Sequence, residues 1–372
     1  MLPTMARRAF LHVGTAKSGT SYLQDLWWQH RDVLRERGLL LPGDTTRDHF
    51  HAAALVKGMD AIVERLDDGR RGTWDRLVAE SRDWHGDVLI SHEHFSDSSP
   101  AAAAGAVADL SAAADEVHLV LTVRDLARVL PSAWQQRVKQ GARQPFAKFL
   151  TTVRRGAADQ KFWRYQDVPA ILERWAVDLD PAHVHVVVVP PAGAPRDDLW
   201  RRTGLVLGID VGNLDTDAQR TNVSLGIVEA ELLRRINTHI PRERRTVDLT
   251  RLTRGEFTRD LLAGSAPREP FVLPADHVGW VRERSQTVVA TLRERSYDVV
   301  GDLDDLLPAD PGPGRTPDQV SDEEVLTAAT VVVARVADTW GVEPPGAQLL
   351  EAFLAVELLA RVAPRQRGTR AQ

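Results

Sequence analysis

Apolar residues cluster in short continuous runs along the first half of the chain. Ala9 to Val13 (AFLHV), Asp87 to Ser91 (DVLIS), Glu116 to Val123 (EVHLVLTV) and Val184 to Pro190 (VHVVVVP) are the clearest, and Leu39 to Gly43 (LLLPG) is a shorter one. A run that is apolar throughout, rather than alternating, is the signature of a strand covered on both faces. Between the runs, apolar positions recur at three- and four-residue spacing. Tyr22, Leu23, Leu26, Trp27 and Leu34 form such a stripe over about 20–37, which Gly38 ends, and 167–177 carries another. Strands alternating with amphipathic helices predict an α/β fold: a parallel β-sheet flanked by helices. No internal repeat is visible.

The pattern changes at Pro308 to Gln319 (PADPGPGRTPDQ), where proline and glycine dominate and no periodicity survives. Beyond it, Ser321 and Glu324 have the spacing of a capping box, and helical patterns follow over about 322–339 and 345–363. The expected organisation is a main domain over 1–308, a linker over 309–319 and a helical C-terminal appendage over 320–372.

Composition narrows the class. A formal charge of −5 gives no general attraction for nucleic acid, so an anion site must be local. The chain contains no cysteine, which excludes disulfides, thiolate metal sites and cysteine nucleophiles. No apolar stretch reaches the roughly 18–20 residues of a membrane span, and the N-terminal residues run into the first strand too soon for a cleavable leader. The expectation is a cytoplasmic protein.

In an open parallel sheet, ligands sit beyond the carboxyl ends of the strands. After the first run comes GTAKSGTSYL, a glycine-bracketed turn that opens directly into a helical stripe. Strand, glycine loop and helix together predict a P-loop-like phosphate-binding cradle of backbone N–H groups. Gly14 and Gly19 have the spacing of a nucleoside-triphosphatase loop and Ser21 fills its Ser/Thr slot, but Thr20 stands where that loop requires lysine. The lysine is instead Lys17, inside the loop. Only Lys57, Lys139, Lys148 and Lys161 join it in a chain that otherwise uses arginine, which makes a lysine here more pointed. After DVLIS come His92, Glu93 and His94. After EVHLVLTV come Arg124, able to fork two donors onto a phosphate, and Ser132, which follows Pro131 where a helix is expected to start. Two separate anion positions suit a ligand phosphorylated at two distant points. His183 and His185 flank the fourth strand and have no metal-ligand spacing; Arg137, Lys139 and Arg143 read as a solvated helix face.

Together, TAKSGTSYLQ and LTVRDLARVLPSAW resemble the cofactor signature of sulfotransferases that use 3′-phosphoadenosine 5′-phosphosulfate (PAPS), in a bacterial branch of that family. The resemblance covers roughly 1–308. It implies that Lys17, Ser18, Gly19, Thr20 and Ser21 hold the 5′-phosphosulfate, that Arg124 and Ser132 hold the 3′-phosphate, and that Tyr22 lies against the adenine. It further implies that Lys17 neutralises the leaving oxygen and that Glu93, with His92 as the alternative, takes the acceptor's proton. No metal is required, since a sulfuryl group carries less charge than a γ-phosphoryl. The acceptor would be a carbohydrate, glycolipid, small metabolite or peptide, with no nucleic acid partner; the oligomeric state is left open. A P-loop kinase or nucleotide hydrolase, and a non-catalytic nucleotide-binding protein, stand as alternatives.

Overall fold

The computed structural model describes residues 5–156, 160–217, 223–269, 271–309, 312, 314–344 and 350–362. Part of the expected linker (310, 311 and 313) and 345–349, where the last helical pattern was expected to begin, lie outside these.

Six strands form one parallel sheet: β1 (Ala6–His12), β2 (Leu39–Leu40), β3 (Asp87–Ser91), β4 (Ala114–Val123), β5 (Val184–Val188) and β6 (Asp298–Val300). Their order is β2-β3-β1-β4-β5-β6. The chain leaves β1 for the edge strand β2, returns to place β3 between β2 and β1, and then crosses to the other side with β4. Strand order therefore reverses at β1, which places a crevice at the carboxyl ends of β1, β3 and β4.

Both faces are dry, which explains the continuous apolar runs. Ala9, Leu11, Val88, Ile90, Leu119, Leu121, Val186 and Val188 point to one face, where Ala52, Trp74, Leu77, Ala106, Leu110 and Ile171 cover them. Phe10, Leu89, Val120 and Val187 point to the other, beneath Leu23, Leu26, Trp27, Leu199 and Trp200. The segment read as one helix over 20–37 is two, Thr20–Gln29 and Arg31–Glu36, broken at His30 (φ −103°, ψ 17°). His30 Nε2 lies 2.7 Å from the Asp215 carbonyl, a contact that no local signal announces.

The chain divides into two compact units. One comprises Met1–Val129, Arg155–Gln219 and Gly279–Ala309 and holds the whole sheet; the other comprises Leu130–Arg154, Arg220–Val278 and Asp310–Gln372. In the second, helices Asp322–Trp340 and Leu350–Val362 pack on Ile227–His239. The helices beyond the proline-rich stretch thus share a unit with segments from the middle of the chain. Within that unit Lys139 donates to the Val223 carbonyl, and Arg143 donates to the carbonyls of Asn237 (2.8 Å) and Ile240. These two cations, read from sequence as solvated, tie helices together.

Glu229 is the polar keystone of the second unit. It is buried, and its carboxylate accepts backbone N–H groups from Gly226 (2.8 Å), Gly264 (2.5 Å) and Ser265 (3.2 Å). Glu229→Ala would orphan three donors at once, and an unpaired buried polar group costs on the order of 1–3 kcal/mol. The expected result is a loss of roughly 3 kcal/mol or more in denaturant unfolding, with Glu229→Gln recovering part of it; a change below about 1 kcal/mol would contradict this account.

Candidate functional site

Three strand ends converge on the loop between β1 and helix Thr20–Gln29, and a buried polar belt fixes them. His12, the last residue of β1, places Nδ1 2.8 Å from Ser91 Oγ on β3 and Nε2 3.1 Å from Thr122 Oγ1 on β4. Burial pushes its pKa down to about 3, so the ring is neutral and serves as a hydrogen-bonding bridge. Ser18 Oγ donates to the Thr15 carbonyl at 2.6 Å and lies 2.7 Å from Thr122 Oγ1. Gln24 Nε2 donates to the Ser91 carbonyl at 2.9 Å.

Above this belt the loop adopts a demanding conformation. Gly14 and Gly19 have φ of 32° and 87°, and between them Lys17 has φ of 70°. Among the described residues Lys17 is the only non-glycine in the left-handed region, which costs a side-chain-bearing residue on the order of 1–2 kcal/mol. Such an outlier persists where the surroundings over-determine it, and it points to a functional role. A Cβ on Gly14 would come within 2.7 Å of Thr20 Oγ1 and 3.1 Å of Thr122 Oγ1, so the belt demands glycine there. Helix Thr20–Gln29 starts at Gly19 with no side-chain cap and no acidic residue in its first turn. Its leading N–H groups and partial positive charge are therefore turned to the loop uncompensated by the chain's own side chains.

The expected loop residues divide by what their atoms are doing. Ser18 is fully buried with its hydroxyl spent on the belt, so only its backbone can face a ligand. Thr20 Oγ1 is buried with no hydrogen-bond partner. Ser21 is exposed in the first helical turn. Tyr22 packs beside Leu199 and Trp200 and donates its hydroxyl to the Arg196 carbonyl at 3.2 Å.

Arg124 closes β4 and reaches back to the loop, its Nη1 donating to the Lys17 carbonyl at 3.2 Å. Its Nε is buried and unpartnered, and no carboxylate of the described residues pairs with it. The adjacent Asp125 is not the partner: it caps helix Leu126–Lys139 by accepting the Arg128 N–H (2.9 Å), and it pairs with the Arg128 guanidinium. Burial, with Arg128 nearby, pulls the Arg124 pKa below its ordinary value. A desolvated cation with an idle donor is what an anion would relieve.

Ser132 departs from its expected setting. The helix starts at Leu126, with Pro131 inside it, so Ser132 falls in the second turn rather than the first. No free helix N-terminus accompanies its hydroxyl.

Beyond β3 the chain turns at His92 into a short 3₁₀ segment, Glu93–Asp97. His92 Nδ1 accepts the His94 N–H at 3.1 Å. Its neutral ring, with a pKa pushed down to about 4 by burial, must then carry its proton on Nε2 and offers no lone pair to a substrate. Glu93 Oε2 is buried, unpartnered by hydrogen bonds and 3.7 Å from His92 Nδ1. Of the two candidate bases, Glu93 is the one with an accepting atom to spare. His94 belongs to a different group: its Nδ1 lies 3.1 Å from the Tyr165 hydroxyl, which accepts from Lys57 Nζ at 2.5 Å, and Lys57 also pairs with Asp97. Burial raises the Tyr165 pKa.

Sequence reading missed one wall of the site. A narrow cleft beside Arg124 is lined by Val123, Trp163, Gln166, Arg284 and Ser285. The Arg284 guanidinium lies 4.6 Å from the centre of a Trp163 ring and 3.5 Å from Asp167, while Gln166 donates to the Ala16 carbonyl in the loop. An aromatic face and a second cation thus stand beside Arg124. Residues so distant along the chain carry no spacing that could have announced them.

Comparison with known proteins returns no matching family model, no matching curated protein and no matching solved structure.

Proposed function

We propose that the chain is a sulfotransferase that moves a sulfuryl group from PAPS to a hydroxyl or amine of an acceptor. The observation that carries this reading is Arg124: a desolvated guanidinium with an idle Nε, joined to the carbonyl of the loop lysine. In the P-loop-like reading, the backbone N–H groups from Ser18 to Ser21 and the Thr20 hydroxyl hold the 5′-phosphate. Arg124 takes the 3′-phosphate. Trp163 and Arg284 supply an aromatic face and a further cation within reach of the nucleoside. The acceptor oxygen attacks sulfur in line as the bond from sulfur to the 5′-phosphate oxygen breaks. Glu93 receives the acceptor's proton, Lys17 neutralises the departing oxygen, and adenosine 3′,5′-bisphosphate is released.

The test is calorimetric titration with adenosine 3′,5′-bisphosphate beside 5′-AMP and Mg-ATP, repeated with Arg124→Ala. The bisphosphate is expected to bind at least tenfold more tightly than 5′-AMP, and that margin should disappear in the variant. Equal affinity for the two, or tighter binding of Mg-ATP, would overturn the proposal in favour of a triphosphate site.

A further inference from the structure

At the amino ends of β4, β5 and β6, the opposite edge of the sheet from the loop, the fold gathers a second set of polar side chains. Glu116 and His118 lie on β4, His183 in the turn before β5, His185 on β5 and Asp298 on β6. One ligand atom from each of Glu116, His118 and His183 lies within 4.8 Å of the others, the one such trio of His, Asp or Glu among the described residues. In sequence His183 and His185 have no ligand spacing; parallel pairing of β4 with β5 brings His183 beside His118, their rings 4.3 Å apart.

Hydrogen-bond direction makes this more than proximity. Asp298 can only accept, so His185 Nδ1, 2.7 Å from its Oδ2, carries a proton. In a neutral ring His185 Nε2 is then an acceptor, and His118 Nδ1, 2.9 Å away, must donate to it. His118 Nε2 is left with a bare lone pair. It faces another acceptor, Glu116 Oε2, at 3.1 Å. With both rings neutral, either a proton between these two atoms or a metal ion seated off the line joining them completes this pair, and the nearby His183 supplies the third donor that a metal needs. A carboxylate that orients one imidazole, which orients the next toward the cation, is the outer-shell arrangement that raises the basicity of a metal-bound histidine.

We propose that Glu116, His118 and His183 bind a divalent transition-metal ion of the zinc class, with His185 and Asp298 as positioning residues. Two imidazoles and a carboxylate are the donor set such ions favour over calcium or magnesium. Bonds of about 2.0–2.2 Å at a tetrahedral centre place ligand atoms roughly 3.4 Å apart. His118 and Glu116 already stand near that separation, and the partly exposed His183, its ligand atom within 4.8 Å of both, moves in to complete the site. The Glu116 side chain is about half exposed (49%), which leaves the remaining position to water.

The full chain, freed of metal by chelator dialysis, is titrated with Zn²⁺ by calorimetry and with Co²⁺ by visible absorption. One equivalent is expected to bind, with the intense visible bands of low-coordinate Co²⁺. His183→Ala and Glu116→Gln, both at the surface, should weaken binding at least 100-fold while far-ultraviolet circular dichroism stays unchanged. Asp298→Asn touches no metal in this scheme, yet it should weaken binding about 10- to 100-fold by reversing the histidine relay. Absence of a one-equivalent event, or a wild-type affinity in His183→Ala, would overturn the proposal and leave a protonated His118 paired with Glu116.

Discussion

In the sulfotransferase reading proposed above, Lys17→Ala is expected to slow transfer of the labelled sulfuryl group from the phosphosulfate donor by about 100- to 1,000-fold, the usual loss when one preorganised stabiliser of a developing oxyanion is removed. Affinity for adenosine 3′,5′-bisphosphate should fall less than tenfold, because the backbone donors of the loop and Arg124 do not depend on the ammonium. That asymmetry separates a role in the transition state from one in binding. Lys17→Gly is the informative companion. With φ of 70°, the position strains alanine as it strains lysine, whereas glycine relaxes it. If both variants lose turnover equally, the charge matters; if Lys17→Gly retains activity, the backbone conformation does, and the assignment of Lys17 to the leaving oxygen fails.

The second large effect is a loss of stability on mild acidification. His12 and His49 are both buried, with pKa values pushed down by burial to about 3 and about 4 from an ordinary 6.5. His49 is saturated as a neutral ring: Nε2 donates to the Pro42 carbonyl at 3.0 Å and Nδ1 accepts the Ser91 N–H at 3.2 Å. A depressed histidine pKa means that the unfolded chain takes up the proton first. Stability from these two groups is therefore complete above about pH 6.5, falls as the pH drops below it, and levels off near pH 3–4 where the folded rings also charge. Each ring contributes a slope of about 1.4 kcal/mol per pH unit, so the pair removes roughly 6–7 kcal/mol by pH 4, comparable with the whole stability of many domains. Denaturant midpoints measured from pH 7.5 to 4.5 should fall steeply, and His49→Gln should lose one proton's worth of that slope. A flat profile over this range would mean that the rings charge within the fold.

Much of the fold was legible because buried parallel strands leave unbroken apolar runs, and five of the six strands announced themselves this way. β6 did not: with three residues at the sheet edge, DVV is too short to stand out. The break at His30 coincides with a contact to a distant carbonyl. Ser132 was misplaced because two start signals compete. Asp125 caps the helix through Arg128, and Pro131, which reads as a first-turn residue, is tolerated inside it. The candidate site divides likewise. The loop, Arg124 and Glu93 follow strands directly and could be read from position alone. Trp163, Gln166 and Arg284 come together only once the chain is folded, as do the histidines at the far edge of the sheet.

β4 joins the two candidate sites, with His118 midway along it and Arg124 just past its finish. At about 3.3 Å per residue these lie roughly 20 Å apart. Both are fixed to the register of one ten-residue strand held in hydrogen bonds by β1 and β5 on either side. A shift of such a rod along its axis displaces both ends together, so the two candidate sites share a single piece of scaffolding.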